Sequence, residues 1–372
     1  MGDDKMDFFA TAAFGLEGLV RRELNHMGIE AKGEGGGARF SASPAQAFQA
    51  NLWLRTADRV LLIVGEGKAL SFEDLFQLVL SLPWEDYLPQ NARFPVSGKC
   101  ARSQLMSVRD CQAITKKAIV ERLKRHYKTQ WFDETGPEYA VDVSIHGDMA
   151  RLTLDTSGAA LNKRGYRTWN GEAPLRETLA AALVMLSPWR GDTPLYDPCC
   201  GTGTLLIEAA YQRSDRAPGL TRSFACESWP QFPRKEMERL RQEAQARFDP
   251  SRIGMIGGSD IDPEALTLCK RHIKQAGLAG KITVTPKDLR EVTLEAHKPF
   301  FLMNPPYGER LSDRKQCERL YRDIRALYDR HPGASLGVIT AHTGFERCFG
   351  KRAVQKRRLY NGRLECEYLI YE

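Results

Sequence analysis

The sequence predicts an α/β protein in two parts. The C-terminal half reads as a Rossmann-like domain on a mainly parallel sheet, and the first ~165 residues read as smaller α+β units with antiparallel strands. Three observations carry this. A chain of 372 residues with 42% hydrophobic and 27% charged content has an ordinary globular composition and calls for two or three domains. Before residue 165, short strand-like runs and one clear hairpin alternate with amphipathic helices. After "LNKRGYRTWNGEAP", strands and helices alternate strictly, as in a parallel sheet with right-handed crossovers.

In chain order, "MDFFATAAFG" reads as a strand and "LEGLVRRELNHMG" as a helix that stops at Gly28. "ARFSAS" is a strand, and "SPAQAFQANLWLRTADR" a helix with Pro44 just inside its start. "VLLIVGEG" is extended, "SFEDLFQLVLSL" helical, "ARFPVSGKCA" extended and "SVRDCQAITKKAIVERLKRHY" helical. "YAVDVSIHGDMARLTLDTSG" is a hairpin about a His-Gly-Asp turn. Beyond the junction come helix "LRETLAAALVML", strand "PLYDPC", loop "CGTG", helix "TLLIEAAY", strand "GMIGGSDI" and helix "PEALTLCKRHIKQAG". Strands "KITVTPKDL" and "PFFLMNPP", helix "CERLYRDIRALYDR", strand "ASLGVITA" and a strand pair around "YNG" complete the chain. Residues 212–250 interrupt the alternation with a charged insertion holding one more helix.

The net charge of +7 is uneven. Positions 1–165 hold 21 basic and 21 acidic residues; the remaining 33 basic and 26 acidic residues carry the excess. Within the neutral half, Lys99 to Lys128 holds nine basic residues against Asp110 and Glu121, and Arg347 to Arg363 holds seven against none. Two basic clusters point to a polyanion, although solvated helix and hairpin faces explain them equally well. Nine cysteines without a regular framework fit a reducing cytoplasm, and the N-terminal "MGDDKMDFFA" has no apolar run of signal length. No stretch approaches 18 apolar residues, and no zinc-spaced Cys or His pairs occur, so neither a membrane span nor a metal is expected.

Four motifs fall at strand ends, where parallel sheets bind ligands. In "YDPCCGTGT", Gly201 and Gly203 allow close backbone approach, and Asp197 offers an acceptor for an ammonium group. The loop lacks the Lys and Ser/Thr of a phosphate loop, and an acid before the glycines favours a cationic ligand. Cys199 and Cys200 in this loop read as small packing residues rather than nucleophiles. In "GSDIDPEA", Asp260 closes a strand as the expected acceptor for ribose hydroxyls, whereas Asp262 before Pro263 reads as a helix N-cap. In "PKDLR", Asp288 suits an adenine amino group, although a turn aspartate reads the same way. Together these acceptors describe a nucleoside bearing a cationic amino acid. S-adenosylmethionine fits, and NAD fits less well because nothing is set to hold a pyrophosphate.

The fourth motif is "NPPYGER". Pro305 and Pro306 lack donors and stiffen the loop, so the Asn304 amide oxygen and the Pro305 carbonyl become two fixed acceptors for one planar –NH2 group. Tyr307 offers a face for a base, worth about 1–3 kcal/mol, and Gly308 leaves room for the ring. Holding both N–H bonds out of plane exposes the nitrogen lone pair, so no strong base is needed.

"YDPCCGTGT", "SDIDPEA" and "NPPYGER" resemble class I methyltransferases that modify exocyclic amines. "LNKRGYRTWNGEAPLRETLAAALV", "APGLTRSFACESW" and "KRRLYNGRLECEY" resemble the bacterial THUMP-domain 23S rRNA guanine-N2 methyltransferases, and the match runs through essentially the whole chain. The resemblance implies a ferredoxin-like segment over 1–65, a THUMP domain over 66–163 and a Rossmann-like methyltransferase domain over 164–372. It implies that Asp197, Gly201 and Gly203, with Cys199 beside them, hold the methionine moiety. Asp260 and Ile261 would serve the ribose, Asp288 and Leu289 the adenine, and Arg176, Glu177 and Thr178 the pocket wall. Asn304, Pro305, Pro306 and Tyr307 would hold the target base, with Asn304 also beside the cofactor. RNA phosphates would meet Lys116, Lys117, Arg122, Lys124, Arg125, Lys163, Arg164, Lys356, Arg357 and Arg358. The reading that follows is a cytoplasmic S-adenosylmethionine-dependent enzyme acting on guanine N2 of 23S rRNA. A tRNA guanine-N2 enzyme, a DNA adenine-N6 enzyme, a non-catalytic RNA-binding assembly factor and a hydride-transferring Rossmann enzyme are the alternatives.

Overall fold

The computed structural model describes residues 5–167, 175–295, 297–307 and 311–372, the last with backbone alone at 311–314. The chain forms two units. The first comprises Val20–Leu161 and Ser223–Arg241 with the described residues up to Ala12; the second comprises Ala13–Leu19, Asn162–Arg222 and Gln242–Glu372.

The first unit is built on β1 (Met6–Ala12), β2 (Ala31–Glu34), β3 (Gly37–Ala42), β4 (Ala57–Lys68), β5 (Val96–Ala101), β6 (Val141–His146) and β7 (Met149–Asp155). Its helices are α1 (Glu17–His26), whose residues before Val20 are assigned to the second unit, α2 (Pro44–Trp53), α3 (Phe72–Ser81) and α4 (Val108–Tyr127). Serines start the helices as their spacing requires. Ser43 and Ser71 form reciprocal capping boxes with Gln46 and Asp74, and Ser107 accepts from Asp110 N. All seven strands form one continuous sheet in the order β2-β3-β1-β4-β7-β6-β5. The expected boundary at 65/66 therefore falls inside β4, which pairs with β1 on one side and β7 on the other.

Two features differ from expectation. β5 pairs parallel with β6, Val96 opposite Val141, because the 20-residue α4 between them supplies the crossover that parallel strands need. β2 lies in a Gly-rich stretch to which the sequence assigns no element, and it is extended by pairing with β3. Residues 223–241, within the expected methyltransferase segment, also belong to the first unit. There Trp229 stacks on Tyr139 at 4.4 Å and donates to Glu138 O.

The second unit holds α5 (Glu177–Leu186), β8 (Leu195–Asp197), α6 (Thr204–Arg213), part of α7 (Arg234–Arg247), β9 (Ile256–Asp260), α8 (Pro263–Gln275) and β10 (Ile282–Pro286). β11 (Phe300–Met303), α9 (Leu311–Asp329), β12 (Ser335–Thr340), α10 (Phe345–Phe349), β13 (Gln355–Asn361) and β14 (Leu364–Tyr371) follow. The short α10 was not foreseen. The strand order is β10-β9-β8-β11-β12-β14-β13, with β8 to β12 mutually parallel and the last hairpin antiparallel. The all-apolar run of β11 is buried on both faces, as a central parallel strand must be. Phe301, Met303, Val338 and Tyr321 form part of one core beneath the carboxyl edge. The chain adds strands outward on one side from β8 to β10 and on the other from β11 to β12, so the strand order reverses between β8 and β11, and the crevice at such a switch point is where open α/β sheets hold ligands.

Candidate active site

A cleft of about 510 Å³ opens at that switch point, lined by Asp197, Cys199, Gly201, Thr204, Asp262, Glu264 and Asn304 among others. Sheet pairing explains the convergence. Phe301 lies opposite Tyr196, so Asp197 at the end of β8 and Asn304 just past β11 emerge side by side. Gly258, opposite Asp197 on β9, has no alternative: a Cβ there would stand 2.8 Å from Asp197 O and 2.9 Å from a Leu206 methyl.

Asp197 is only 2% exposed. Its carboxylate accepts the Cys199 N–H at 3.0 Å, and among the described residues no basic side chain pairs with it. Burial pushes its carboxyl well above the usual carboxylate range; the Cys199 N–H opposes the shift and the nearby Asp260 charge adds to it. A buried acid facing a cleft, with a second acid nearby and no cation, is built to receive a cation from outside. This fits an ammonium-bearing ligand such as S-adenosylmethionine.

The glycine loop completes the wall. Gly201 and Gly203 take positive φ of 49° and 84°, and Gly203 caps α6 with its backbone. Gly201 N donates to Asp260 Oδ2 at 2.8 Å, and Asp262 N to Asp260 Oδ1 at 3.0 Å. Asp260 therefore ties the first motif to the second, and the cleft wall itself is made by Asp262 and Glu264. Asp262 caps α8 as foreseen, accepting from Glu264 N at 2.9 Å, so one residue does both. Sequence reasoning assigned only the capping role, because side-chain alternation past a strand end is not legible. Ile261 is 74% exposed, an apolar surface presented at a strand end.

Other expected cofactor residues are engaged structurally. Asp288 caps a 3-10 turn and pairs with Arg290 at 2.6 Å, and that guanidinium holds its carboxyl below the usual range. Leu289 is packed in the core beside Met303 and Tyr321. Arg176 stands exposed at the N-cap of α5; Thr178 is buried, and Glu177 is buried in an ion pair with Arg167 at 3.3 Å. Burial pushes the Cys199 thiol far up, and a hydrogen bond with Cys269 together with burial does the same to Cys200. Both shifts favour the protonated thiol over the nucleophilic thiolate.

The "NPPY" loop is held from below and capped from within. Tyr321, fully buried on α9, donates its hydroxyl to Pro306 O at 2.8 Å. The Tyr307 hydroxyl donates to Asn304 Oδ1, the very acceptor expected to receive the target amine. Desolvation pushes the Tyr307 phenol up, so it stays a donor. Gly308 of this motif and residues 168–174 of the junction lie outside the described residues.

A family model described as the RMKL-like methyltransferase domain matches residues 164–370. An RlmL ferredoxin-like domain model matches residues 7–61 and a THUMP domain model residues 69–155. The chain belongs to the RMKL-like methyltransferase family. It is 39% identical over 369 residues to the "Putative RNA methyltransferase YpsC" of Bacillus subtilis (strain 168), covering 99% of this chain and 96% of that protein. The structure of SMU.472, titled a putative methyltransferase complexed with SAH, superposes with a TM-score of 0.95 at 38% identity, covering 100% of this chain and 98% of that one. A Listeria monocytogenes structure titled a "predicted N6-adenine-specific DNA methylase" does so with a TM-score of 0.95 at 43% identity, covering 99% and 96%.

In this RMKL-like methyltransferase the expected phosphate contacts sort into three groups. Arg164 is a correction: its side chain is 1% exposed and pairs with buried Glu208 at 3.4 Å, with Tyr166 donating to the same carboxylate. Lys116 donates to Phe94 O and Glu134, Arg122 grips Glu85 through Nε at 2.9 Å, and Lys124 pairs with Glu121 at 3.8 Å. Lys356 pairs with Glu346, and Arg358 with Glu365 at 3.3 Å. Lys117, Arg125, Lys163 and Arg357 are exposed, and among the described residues none of them forms an ion pair. Charge counting along the chain could not assign these pairs: the partners of Arg122 and Arg164 lie 37 and 44 residues away, and even for near neighbours a count does not say which cation an acid takes. Among the described residues no helix is long and apolar enough to cross a membrane.

Proposed function

We propose that the protein transfers a methyl group from S-adenosylmethionine to an exocyclic base amine of RNA, and that the amine is N2 of a guanine in 23S rRNA. The observation that carries the reaction class is the pairing, in one cleft, of cation-seeking Asp197 with Asn304 of a donor-free proline loop. When bound, the sulfonium supplies an electrophilic methyl group. Asp197 takes the ligand's ammonium, and the Asp260-braced glycine loop supports the ligand. Asn304 Oδ1 and the Pro305 carbonyl accept both protons of the target amine. Tyr307 leaves Asn304 as the amine arrives and presents its ring to the base. The similarity to YpsC, named as an RNA methyltransferase, supports RNA as the substrate class. The resemblance of the junction "LNKRGYR" and the C-terminal "KRRLYNG" supports guanine N2 of 23S rRNA. Nine free thiols are consistent with a reducing, cytoplasmic setting.

The test is mass spectrometry of nucleosides from unmodified ribosomal and transfer RNA after incubation with labelled cofactor. Label in N2-methylguanosine of 23S rRNA is expected. Label in 6-methyladenosine would overturn the guanine assignment, and label confined to tRNA would overturn the ribosomal one.

A further inference from the structure

Only 11% of the Arg167 side chain is exposed, and the reaction described above gives it no part. From Nη2 it donates to Leu175 O at 3.2 Å and to the Thr204 hydroxyl. From Nη1 it pairs with Glu177 at 3.3 Å. The other Glu177 oxygen accepts from Asn162 Nδ2 at 3.4 Å. One carboxylate therefore answers the charge, and the second terminal nitrogen of the fork is spent on two neutral acceptors. Both acceptors belong to residues that line the cleft: Leu175 lies ahead of α5, and Thr204 is the first residue of α6.

The glycine loop needs ties of this kind. Gly201 and Gly203 have positive φ and no side chains, so little within the loop fixes its shape. Asp260 at the end of β9 holds Gly201 N at 2.8 Å. His272 on α8, fully buried, places Nδ1 3.2 Å from Thr202 O; a carbonyl only accepts, so that nitrogen carries the proton. Arg167 holds Thr204. Of these three, Arg167 is the one that joins the end of the loop to a cleft residue outside it. An ion pair that served stability alone would need the Glu177 contact and neither of the others.

We propose that Arg167 is a positioning residue for S-adenosylmethionine. It fixes the spacing of Leu175 and Thr204, two residues that wall the cleft, at the value the ligand needs. The proposal rests on this cleft being the S-adenosylmethionine site. It also gives the junction a part in cofactor binding that residue type alone does not reveal, because Arg167 acts through a backbone carbonyl and a hydroxyl without touching the ligand. Arg167→Lys keeps a cation opposite Glu177, but a single ammonium cannot reproduce a planar fork spread over three acceptors.

Titration calorimetry of the full chain with S-adenosylmethionine tests this, alongside thermal unfolding of the ligand-free protein. In Arg167→Lys the Tm should stay near parental while affinity falls about ten- to a hundredfold, the worth of hydrogen bonds from a charged donor. Thr204→Val should weaken binding as well, and Thr204→Ser, which keeps the hydroxyl, should retain most of the affinity. In the double variant of Arg167→Lys with Thr204→Val the two losses should not add, because both remove the same tie. Parental affinity in Arg167→Lys would overturn the proposal, whether or not the Tm falls, since a purely structural ion pair gives that result. Fully additive losses would overturn it too. Should Arg167→Lys fail to fold, equal affinities in Thr204→Val and Thr204→Ser, which leave the Arg167–Glu177 pair in place, would overturn it instead. Asp197→Asn in the same titration separates the two readings. Parental affinity there would remove the cleft as the cofactor site and this proposal with it, whereas lost affinity there with parental affinity in Arg167→Lys would overturn this proposal alone.

Discussion

Asp197→Asn should make the ligand-free protein more stable and destroy its affinity for S-adenosylmethionine. The carboxylate is 2% exposed and holds one backbone hydrogen bond at 3.0 Å, which an Asn oxygen can keep. What is removed is a buried charge that no cation answers among the described residues. Folding raises the pKa of this acid, so the folded protein holds a proton that the unfolded chain releases. Stability from that proton is fully present below the unfolded value of about 3.9 and is lost as pH rises through the elevated folded value. The variant has nothing to lose, so its advantage should be absent at low pH and grow towards pH 8. Replacing a poorly compensated buried charge gains roughly 1–2 kcal/mol, or about 2–8 °C in Tm for a domain of this size. Binding moves the other way. Truncating one partner of a buried charge pair costs about 2–5 kcal/mol, a loss of roughly 30- to 5,000-fold in affinity. Thermal unfolding at several pH values, with and without ligand, and titration calorimetry read both effects. A variant no more stable than the parent at pH 8, or one that still binds with parental affinity, would refute the reasoning about Asp197.

Asn304→Ala should lower kcat about 10²- to 10³-fold while cofactor affinity stays close to parental, because the proposed reaction uses the amide to hold the target amine; single-turnover rates and calorimetry separate the two. Tyr321→Phe removes the 2.8 Å bond that anchors Pro306 O, so kcat should drop several-fold at unchanged cofactor affinity, with about 0.5–1.5 kcal/mol of stability lost in urea unfolding. Gly203→Ala meets both a φ of 84° and a Cys269 sulfur 2.5 Å from the new Cβ; it should destabilise by about 2–4 kcal/mol and weaken the cofactor, seen as a lower Tm and a smaller ligand-induced shift. Arg164→Ala leaves Glu208 without its buried partner and should cost about 3–5 kcal/mol in denaturant unfolding, whereas a phosphate-contact role would show as weaker RNA binding in a protein of unchanged stability.

Much of this fold was legible locally. Ser43, Ser71 and Asp262 announce helix starts through caps that need only three or four neighbouring residues, and Gly147 with Asp148 announces a hairpin through positive φ. β2 and the parallel β5–β6 pair were not legible, since each depends on a partner distant in sequence. The same distinction divides the site. Asp197, Gly201 and Asn304 could be named from residue type at strand ends, and all three line the cleft. Arg164 could not be told from a surface cation, because Glu208, its partner, lies 44 residues further on.

By itself the sequence determined the chemical parts: an acid before two glycines, acids ending two further strands, and an amide before two prolines. The tertiary structure decided their order in space. Along the chain they run 197, 260, 288, 304; the sheet order β10-β9-β8-β11 lays them out as 288, 260, 197, 304. With strands about 4.8 Å apart, that edge spans roughly 14 Å, with Asn304 beside Asp197 instead of beside Asp288. Strand pairing is a long-range choice set by crossovers and burial, so no local pattern carries it. The Glu208 claim on Arg164 belongs to the same class of fact, settled only when residues distant in sequence meet in the core.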